Sequence, residues 1–430
     1  MTPDLLLRGG TLIRPRPKTT HSADLLIRDG TIAEVGDGLD VGESVPEYDA
    51  SGAFISPGWM DMHVHFREPG YEHKETIATG SRAALAGGFT DVACMPNTDP
   101  PLHTRDVVEF VRERAADVPV GVHPIACVSK ERAGDEIAEM ADLQEGGAVA
   151  FSDDGAPVQE AGLMRRALEY SSMLDCPIIN HMEAETLNPS GQMHEGEVSA
   201  RLGLDGIPAA SEDVMIARDI ELAALTNGHV HVAHISTARG VELVRRAKAR
   251  DLPVTAEVCT HHLALTDAAV ERTAFDTHTK MHPPLRSAAD VAALKEGLAD
   301  GTIDAICTDH APHAPHEKHV EFIHAPFGIL GLETAWGLIG RELIAPGVLS
   351  VEEAVRTLTV APRRILGLNV PKLEQGEPAR LTLFDTSTQW TFTEDHIHSK
   401  SENTPFVGSQ LVGRPWAVYS DGQFVRWEDA

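Results

Sequence analysis

A (β/α)8 barrel with a small β domain built from both chain termini is the α/β fold class this sequence predicts. Three observations predict it. Eight short apolar runs between residues 58 and 311 alternate with helical stretches, strand-like pieces separated by turns occupy both ends, and single His or Asp residues recur where the central runs end. The chain has 430 residues, more than one small domain needs, and a barrel takes up about 250 of them.

The first stretch alternates pieces such as Leu5-Leu6-Leu7-Arg8 and Asp24-Leu25-Leu26-Ile27-Arg28 with turns expected at Gly9-Gly10 and Asp29-Gly30. The same texture returns after Glu374, in Ala379-Arg380-Leu381-Thr382-Leu383-Phe384 and Pro415-Trp416-Ala417-Val418-Tyr419, with a hairpin signal at Asp421-Gly422. Neither end has strands enough for a core of its own. Residues 1–54 and 367–430 are therefore expected to pack together as one β domain, leaving 55–366 for the barrel.

Within that span the strand candidates are 58–66, 89–96, 122–128, 148–154, 177–183, 229–236, 253–261 and 305–311. Helices are expected in the gaps, for instance over 132–143 and 290–298, and one over 351–366 leads out of the barrel. Eight parallel strands with helices between them close into a barrel more readily than they form an open doubly wound sheet.

Composition narrows the function classes. Hydrophobic residues make up 42% and charged ones 23%, as in a globular protein. The net charge is −29, spread along the whole chain, with nine lysines against 27 arginines. Such a surface repels nucleic-acid phosphates and anionic membranes. It reads as adaptation to a salt-rich, halophilic cytoplasm, where screening makes self-repulsion tolerable. The five cysteines (Cys94, Cys127, Cys176, Cys259 and Cys307) are odd in number and lie in apolar runs, which suits buried thiols in a reducing compartment. The N-terminus opens onto a strand-like run without a basic, apolar leader, and no apolar run reaches about 18 residues, so a cytoplasmic protein is expected.

The candidate chemistry begins at His63-Val64-His65. On a strand, positions i and i+2 face the same side, so both imidazoles can bind one metal at the barrel mouth. Asp154, His181, His234 and Asp309 fall near the ends of strands four, five, six and eight, where barrel enzymes keep their chemistry. Taken singly, His181 or His234 suits a core histidine, and Asp154 or Asp309 a helix cap. Six such residues at one mouth are not explained that way. Four His and two Asp, without a thiolate, suit Zn2+, with Mn2+ and Co2+ as alternatives. Six ligands exceed the needs of one tetrahedral catalytic zinc; two metals sharing a carboxylate would use them all.

The segment Asp61-Met62-His63-Val64-His65-Phe66-Arg67-Glu68-Pro69-Gly70 resembles the dihydroorotase signature of the amidohydrolase superfamily. Further segments resemble that family in the same order along the chain: Met95-Pro96-Asn97-Thr98, Phe151-Ser152-Asp153-Asp154-Gly155, Asn180-His181-Met182-Glu183, Ala233-His234-Ile235-Ser236-Thr237, Pro283-Pro284-Leu285-Arg286 and Thr308-Asp309-His310-Ala311-Pro312-His313. The resemblance implies that His63, His65 and Asp309 hold one metal and His181 and His234 a second, with Asp154 bridging. Many relatives bridge with a carboxylated lysine, a form excluded here because no lysine lies between Lys130 and Lys248. Asp153 is the rival bridge; Asp154 is preferred because its spacing to His181 better matches the family.

The activity so implied is the reversible, metal-dependent cyclisation of N-carbamoyl-L-aspartate to L-dihydroorotate and water in de novo pyrimidine biosynthesis. Asp309 is the expected catalytic residue, carrying the proton between water and the ring nitrogen. Arg67 suits the substrate carboxylate because a guanidinium offers two parallel hydrogen bonds. By the same resemblance His65, Asn97 and His313 complete the substrate site, and Phe327-Gly328 offers main-chain groups to the ring. His282 stands where the family has Asn before the Pro-Pro-Leu-Arg run, so a ring contact made by an amide must here be made by an imidazole or lost. His310, His316, His319 and His324 read as solvated loop residues, and His261 and His262 as groups behind the ligands at strand seven.

Two other readings compete. Dihydropyrimidinases, hydantoinases and allantoinases share barrel and HxH pair but lack the Arg-Glu-Pro-Gly continuation and use the lysine bridge. A catalytically dead scaffold would have lost ligands, and all six are present. The expected partners are the small-molecule substrate and further copies of the chain in a homo-oligomer, without nucleic acid or membrane.

Overall fold

The computed structural model describes residues 4–15, 18–42 and 44–427. Residues 1–3, at the start of the chain read above for a leader, lie outside them. Eight parallel strands run in sequence order around a barrel: Trp59–Val64, Phe89–Cys94, Gly121–Ala126, Ala150–Phe151, Ile178–Asn180, Val230–Val232, Val254–Cys259 and Ala305–Cys307. Each falls on one of the eight expected runs. The ring closes between first and last strands through a parallel bridge from Val64 to His310 and a 2.9 Å bond from His65 N–H to His310 O.

The strands are rich in β-branched and aromatic residues, and Phe89–Cys94 is buried along its whole length, as expected where helices cover a parallel sheet. The helices carry their own start signals. Ser287 and Asp290 form a capping box at Ala288–Ala299, and Ser350 and Glu353 do so at Val351–Ile365. Both helices match the expected ranges within two residues at each end.

The expected helix over 132–143 is corrected. Helix appears only at Met140–Gly146, after one 3-10 turn at Lys130–Arg132. Lys130 N–H reaches Glu136 O and Ala138 N–H reaches Val128 O, so the chain doubles back as a small hairpin, with Gly134 at φ 73 in its bend. The cause is distant in sequence. Asp153 accepts hydrogen bonds from the N–H groups of Val128 and Ser129 and from Ser129 Oγ, and so anchors this segment outside helical geometry.

Both termini contribute to one second sheet. Phe54–Pro57 pairs in parallel with Leu5–Pro15 on one side and antiparallel with Leu381–Phe384 on the other. The hairpin at Asp421-Gly422 joins Pro415–Ser420 to Gln423–Arg426, and Asp29-Gly30 joins Lys18–Arg28 to Thr31–Gly36. Gly9-Gly10 does not turn the chain: it forms a bulge inside the single strand Leu5–Pro15. A Cβ on Gly10 would meet Ile55 Cδ1 at 2.4 Å, so close packing rather than a turn requires this glycine.

Where the β sheet meets the barrel, Trp59, Trp336 and Phe384 pack ring on ring, with centroids 4.5, 5.1 and 4.6 Å apart. Trp59 Nε1 donates to Ser56 Oγ and Trp336 Nε1 to Asp385 O. These rings tie the scaffold under the first catalytic strand. Trp59→Ala should lower unfolding free energy by about 3–5 kcal/mol, measurable by denaturant titration. All five cysteines are buried and free. No helix among the described residues is long and apolar enough to cross a membrane.

Candidate active site

The alternation of the first strand sends His63 and His65 to one face, with ring centroids 5.4 Å apart. Asp154, His181, His234 and Asp309 follow the C-terminal ends of strands four, five, six and eight. The structure brings all six together. His63 Nε2 lies 3.6 Å from both Asp154 Oδ1 and Asp309 Oδ1, and His65 Nε2 lies 2.9 Å from Asp309 Oδ1 and 3.6 Å from Asp154 Oδ2. On the other side of Asp154, His234 Nε2 and His181 Nδ1 stand 3.5 and 3.7 Å from its Oδ1. Asp154 is thus the central carboxylate between two groups of imidazoles. Its neighbour Asp153 faces away, its oxygens taken by Val128 and Ser129.

These residues fit a metal. His63 Nε2 and Asp154 Oδ1 are buried, face the cluster and have no hydrogen-bond partner, and unsatisfied buried polar atoms are rare unless something else pairs with them. Ligand atoms of the sets His63/His65/Asp154, His63/His234/Asp309 and Asp154/His181/His234 each lie within 4.8 Å of one another. The electrostatics agree. Burial disfavours an imidazolium at His63, but Asp309, Glu257 and Asp154 outweigh it and raise its pKa to about 10. Against the same burial, Asp154 and Glu183 raise His181 to about 10. Burial pushes Asp309 up, but His63 and His65 more than offset it and hold it at about 2. Burial instead lowers His65 and His234, so the positive charge the carboxylates attract falls on His63 and His181.

In His63, His65 and His181 the other ring nitrogen is held from behind, which fixes which nitrogen faces the cluster. His63 Nδ1 bonds Glu257 Oε1 at 2.7 Å, His65 Nδ1 bonds Asn97 Oδ1 at 2.7 Å, and His181 Nε2 lies 3.4 Å from Glu183 Oε2. Glu257 and Glu183 were given no role by the sequence reading. Glu257 had a visible signal, a lone charge in the apolar run Val254–Cys259; Glu183 stood inside a quoted motif. Glu257→Gln should weaken divalent-metal affinity about 10- to 100-fold, read by chelator competition.

Of the non-glycine residues at positive φ, three belong to the site: Arg67 at 61°, His234 at 32° and Asp309 at 47°. Such backbone is costly and persists where surroundings over-determine it, as at functional sites.

Above the cluster opens a cavity of about 240 Å³ whose wall includes every residue expected to meet substrate. Arg67 Nε donates to Pro312 O at 3.2 Å, and among the described residues no carboxylate pairs with its guanidinium. Asn97 also reaches Asp154 Oδ2 through its Nδ2, at 3.4 Å. His282 is stacked on His181 with ring centroids 4.9 Å apart and 6° between planes, and its Nε2 bonds Glu183 Oε2 at 2.6 Å. His313 lines the cavity, but its ring nitrogens already meet Phe327 O at 2.8 Å and Lys74 Nζ at 3.5 Å. Gly328 N–H is committed to Lys280 O.

One histidine assignment is corrected. His316, His319 and His324 are exposed, but His310 is fully buried, with Nδ1 accepting from Gly331 N–H and Nε2 3.5 Å from Glu75 Oε2. Its main chain closes the barrel. His261 and His262 are buried behind the cluster, and His262 Nε2 donates to Pro283 O.

Residues 52–240 match the family model described as dihydro-orotase-like. Among solved structures, an L-hydantoinase (dihydropyrimidinase) from Arthrobacter aurescens superposes with a TM-score of 0.88 at 24% identity, covering 100% of this chain and 97% of its own. A dihydropyrimidinase from Brevibacillus agri gives 0.84 at 22%, covering 98% and 95%. These likenesses show the fold. Curated relatives define the chain as a hydrolase acting on cyclic amides and name the family. A dihydroorotase from Pelotomaculum thermopropionicum is 51% identical over 98% of both chains, and one from Anaeromyxobacter dehalogenans is 47% identical over 100% of this chain and 99% of its own. The chain belongs to the dihydroorotase family.

Proposed function

We propose that this chain catalyses the reversible cyclisation of N-carbamoyl-L-aspartate to L-dihydroorotate, a step of pyrimidine biosynthesis, in the cytoplasm. The observation that carries the substrate choice is the Arg67 guanidinium, which has no carboxylate partner among the described residues and lines the cavity over the His/Asp cluster. A neutral ring leaves that cation unpaired, whereas a ring bearing a carboxylate pairs with it through two charge-assisted hydrogen bonds.

The proposed occupants of the cluster are two Zn2+ per chain, with Mn2+ or Co2+ able to substitute. His63, His65 and Asp309 would hold one, His181 and His234 the other, and Asp154 both. When bound, the ions supply Lewis acidity to the scissile carbonyl and to water. The protein supplies the rest. Asp309 Oδ1 lies 2.9 Å from His65 Nε2, while Oδ2 makes no hydrogen bond within the described chain and is free to take a proton. In ring opening, the water oxygen bonds to the carbonyl carbon, Asp309 takes the water proton, and the same proton passes to the ring nitrogen as the C–N bond breaks. Ring closure runs the same transfers backwards with loss of water. Asn97 holds His65 in place, and His282, His313 and the main chain at Phe327-Gly328 wall the ring.

The test is a substrate panel in high salt. L-dihydroorotate should be opened and hydantoin, dihydrouracil and allantoin left intact; turnover of a neutral ring without turnover of L-dihydroorotate would sink the proposal. High salt is specified because we also read the charge of −29 as adaptation to a saline cytoplasm. Unfolding should accordingly be easier in low salt than in molar salt.

A further inference from the structure

Two buried lysines have no part in the chemistry above. Lys280 and Lys318 are each 2% exposed, and among the described residues neither has a carboxylate partner. A buried ammonium is costly unless a negative group pairs with it, and here the partners are carbonyl and amide oxygens. Lys280 Nζ donates to Gln192 Oε1 at 2.5 Å, Phe322 O at 2.7 Å and Ile323 O at 3.2 Å, and lies 4.8 Å from the centroid of the Phe327 ring. Lys318 Nζ donates to Thr277 O at 3.1 Å and Pro326 O at 2.7 Å.

These contacts tie residues 319–328 to the short segment 277–280. Two further bonds reinforce the tie: Thr277 Oγ1 donates to Lys318 O, and Gly328 N–H to Lys280 O. Phe327, at the end of the tied loop, lines the cavity and holds His313 through its carbonyl. Burial lowers the Lys280 pKa to about 8. Burial first, and then the charge of Lys280, lower Lys318 to about 7 against Asp276 and Glu317, which raise it. Lysine is scarce in this chain, and its charge of −29 repels an anionic substrate.

We propose that Lys280 and Lys318 are positioning residues that tie the 319–328 loop around Phe327, and that Lys280, whose ammonium lies 4.8 Å from the Phe327 ring lining the cavity, is also specificity-determining, its charge favouring a ring with a carboxylate over a neutral one. The selection rests on the reading of Arg67 as the carboxylate site; the tie does not. Neither lysine touches the reacting atoms.

Lys280→Gln and Lys318→Gln keep hydrogen-bond donors but remove the charge. Lys280→Gln should raise KM for L-dihydroorotate about tenfold while leaving KM for the uncharged methyl ester of the same ring, and kcat, within about twofold, and Lys318→Gln should have the smaller effect on KM. Lys280→Met and Lys318→Met remove the donors too and should increase deuterium uptake over 319–328. Equal loss for acid and ester in the Gln proteins would overturn the charge selection. Exchange in the wild-type protein needs neither substrate nor variant, and rapid uptake throughout 319–328 would overturn the tie. Wild-type protein that fails to open L-dihydroorotate would overturn the Arg67 reading and the selection with it, leaving the tie to be judged by exchange alone.

Discussion

Asp309→Asn should lower kcat for L-dihydroorotate by about 10³-fold, inside the 10²–10⁴ range that a positioned acid–base group supplies. The substitution is nearly isosteric, and an amide still offers an oxygen to His65, which bonds Asp309 Oδ1 at 2.9 Å. An amide does not take a proton at neutral pH, so the transfer from water to ring nitrogen is lost. KM should change far less, because the carboxylate grip at Arg67 is untouched. Metal content of the variant must be measured alongside turnover. Full metal with low kcat assigns the loss to proton transfer, whereas a variant as active as wild type contradicts the proposed role.

Arg67→Met should act on the other kinetic parameter, lowering kcat/KM by about 10²-fold or more, chiefly through KM. Hydrogen bonds to charged groups contribute about 1.5–3 kcal/mol each, and two are lost. Arg67→Lys should recover only part, since an ammonium is a point charge without the planar fork. The contrast with a neutral substrate is decisive: dihydrouracil should bind the Met variant no worse than the wild type. Equal weakening of acid and neutral rings would show that Arg67 supports the loop instead of the carboxylate.

Much of this was legible in the sequence because it is local or periodic. The eight barrel strands are short apolar runs, and His63 and His65 share a face through the period of two that any strand imposes. Asp154, His181, His234 and Asp309 were visible because each follows such a run. What escaped depends on contacts between distant parts of the chain. The 132–143 segment has helical spacing, but Asp153 pins its start into a hairpin. His310 looks like one more loop histidine until the first and last strands meet across it. Gly9-Gly10 carries the composition of a turn, and only Ile55 packed against it shows why the glycine is there.

The supporting groups were the least legible. Glu257 lies 194 positions from His63, whose ring it holds, and no local pattern joins the two. Lys280 and Lys318 read as surface residues by type. Their burial follows from the path of the 319–328 loop, whose carbonyls they bind.

If the six His and Asp residues form a metal centre that performs ring hydrolysis, metal analysis of the purified protein, run beside turnover of L-dihydroorotate, should find about two divalent ions per chain, with chelation removing ions and activity together and zinc restoring both. Undiminished turnover by protein stripped of metal would contradict it.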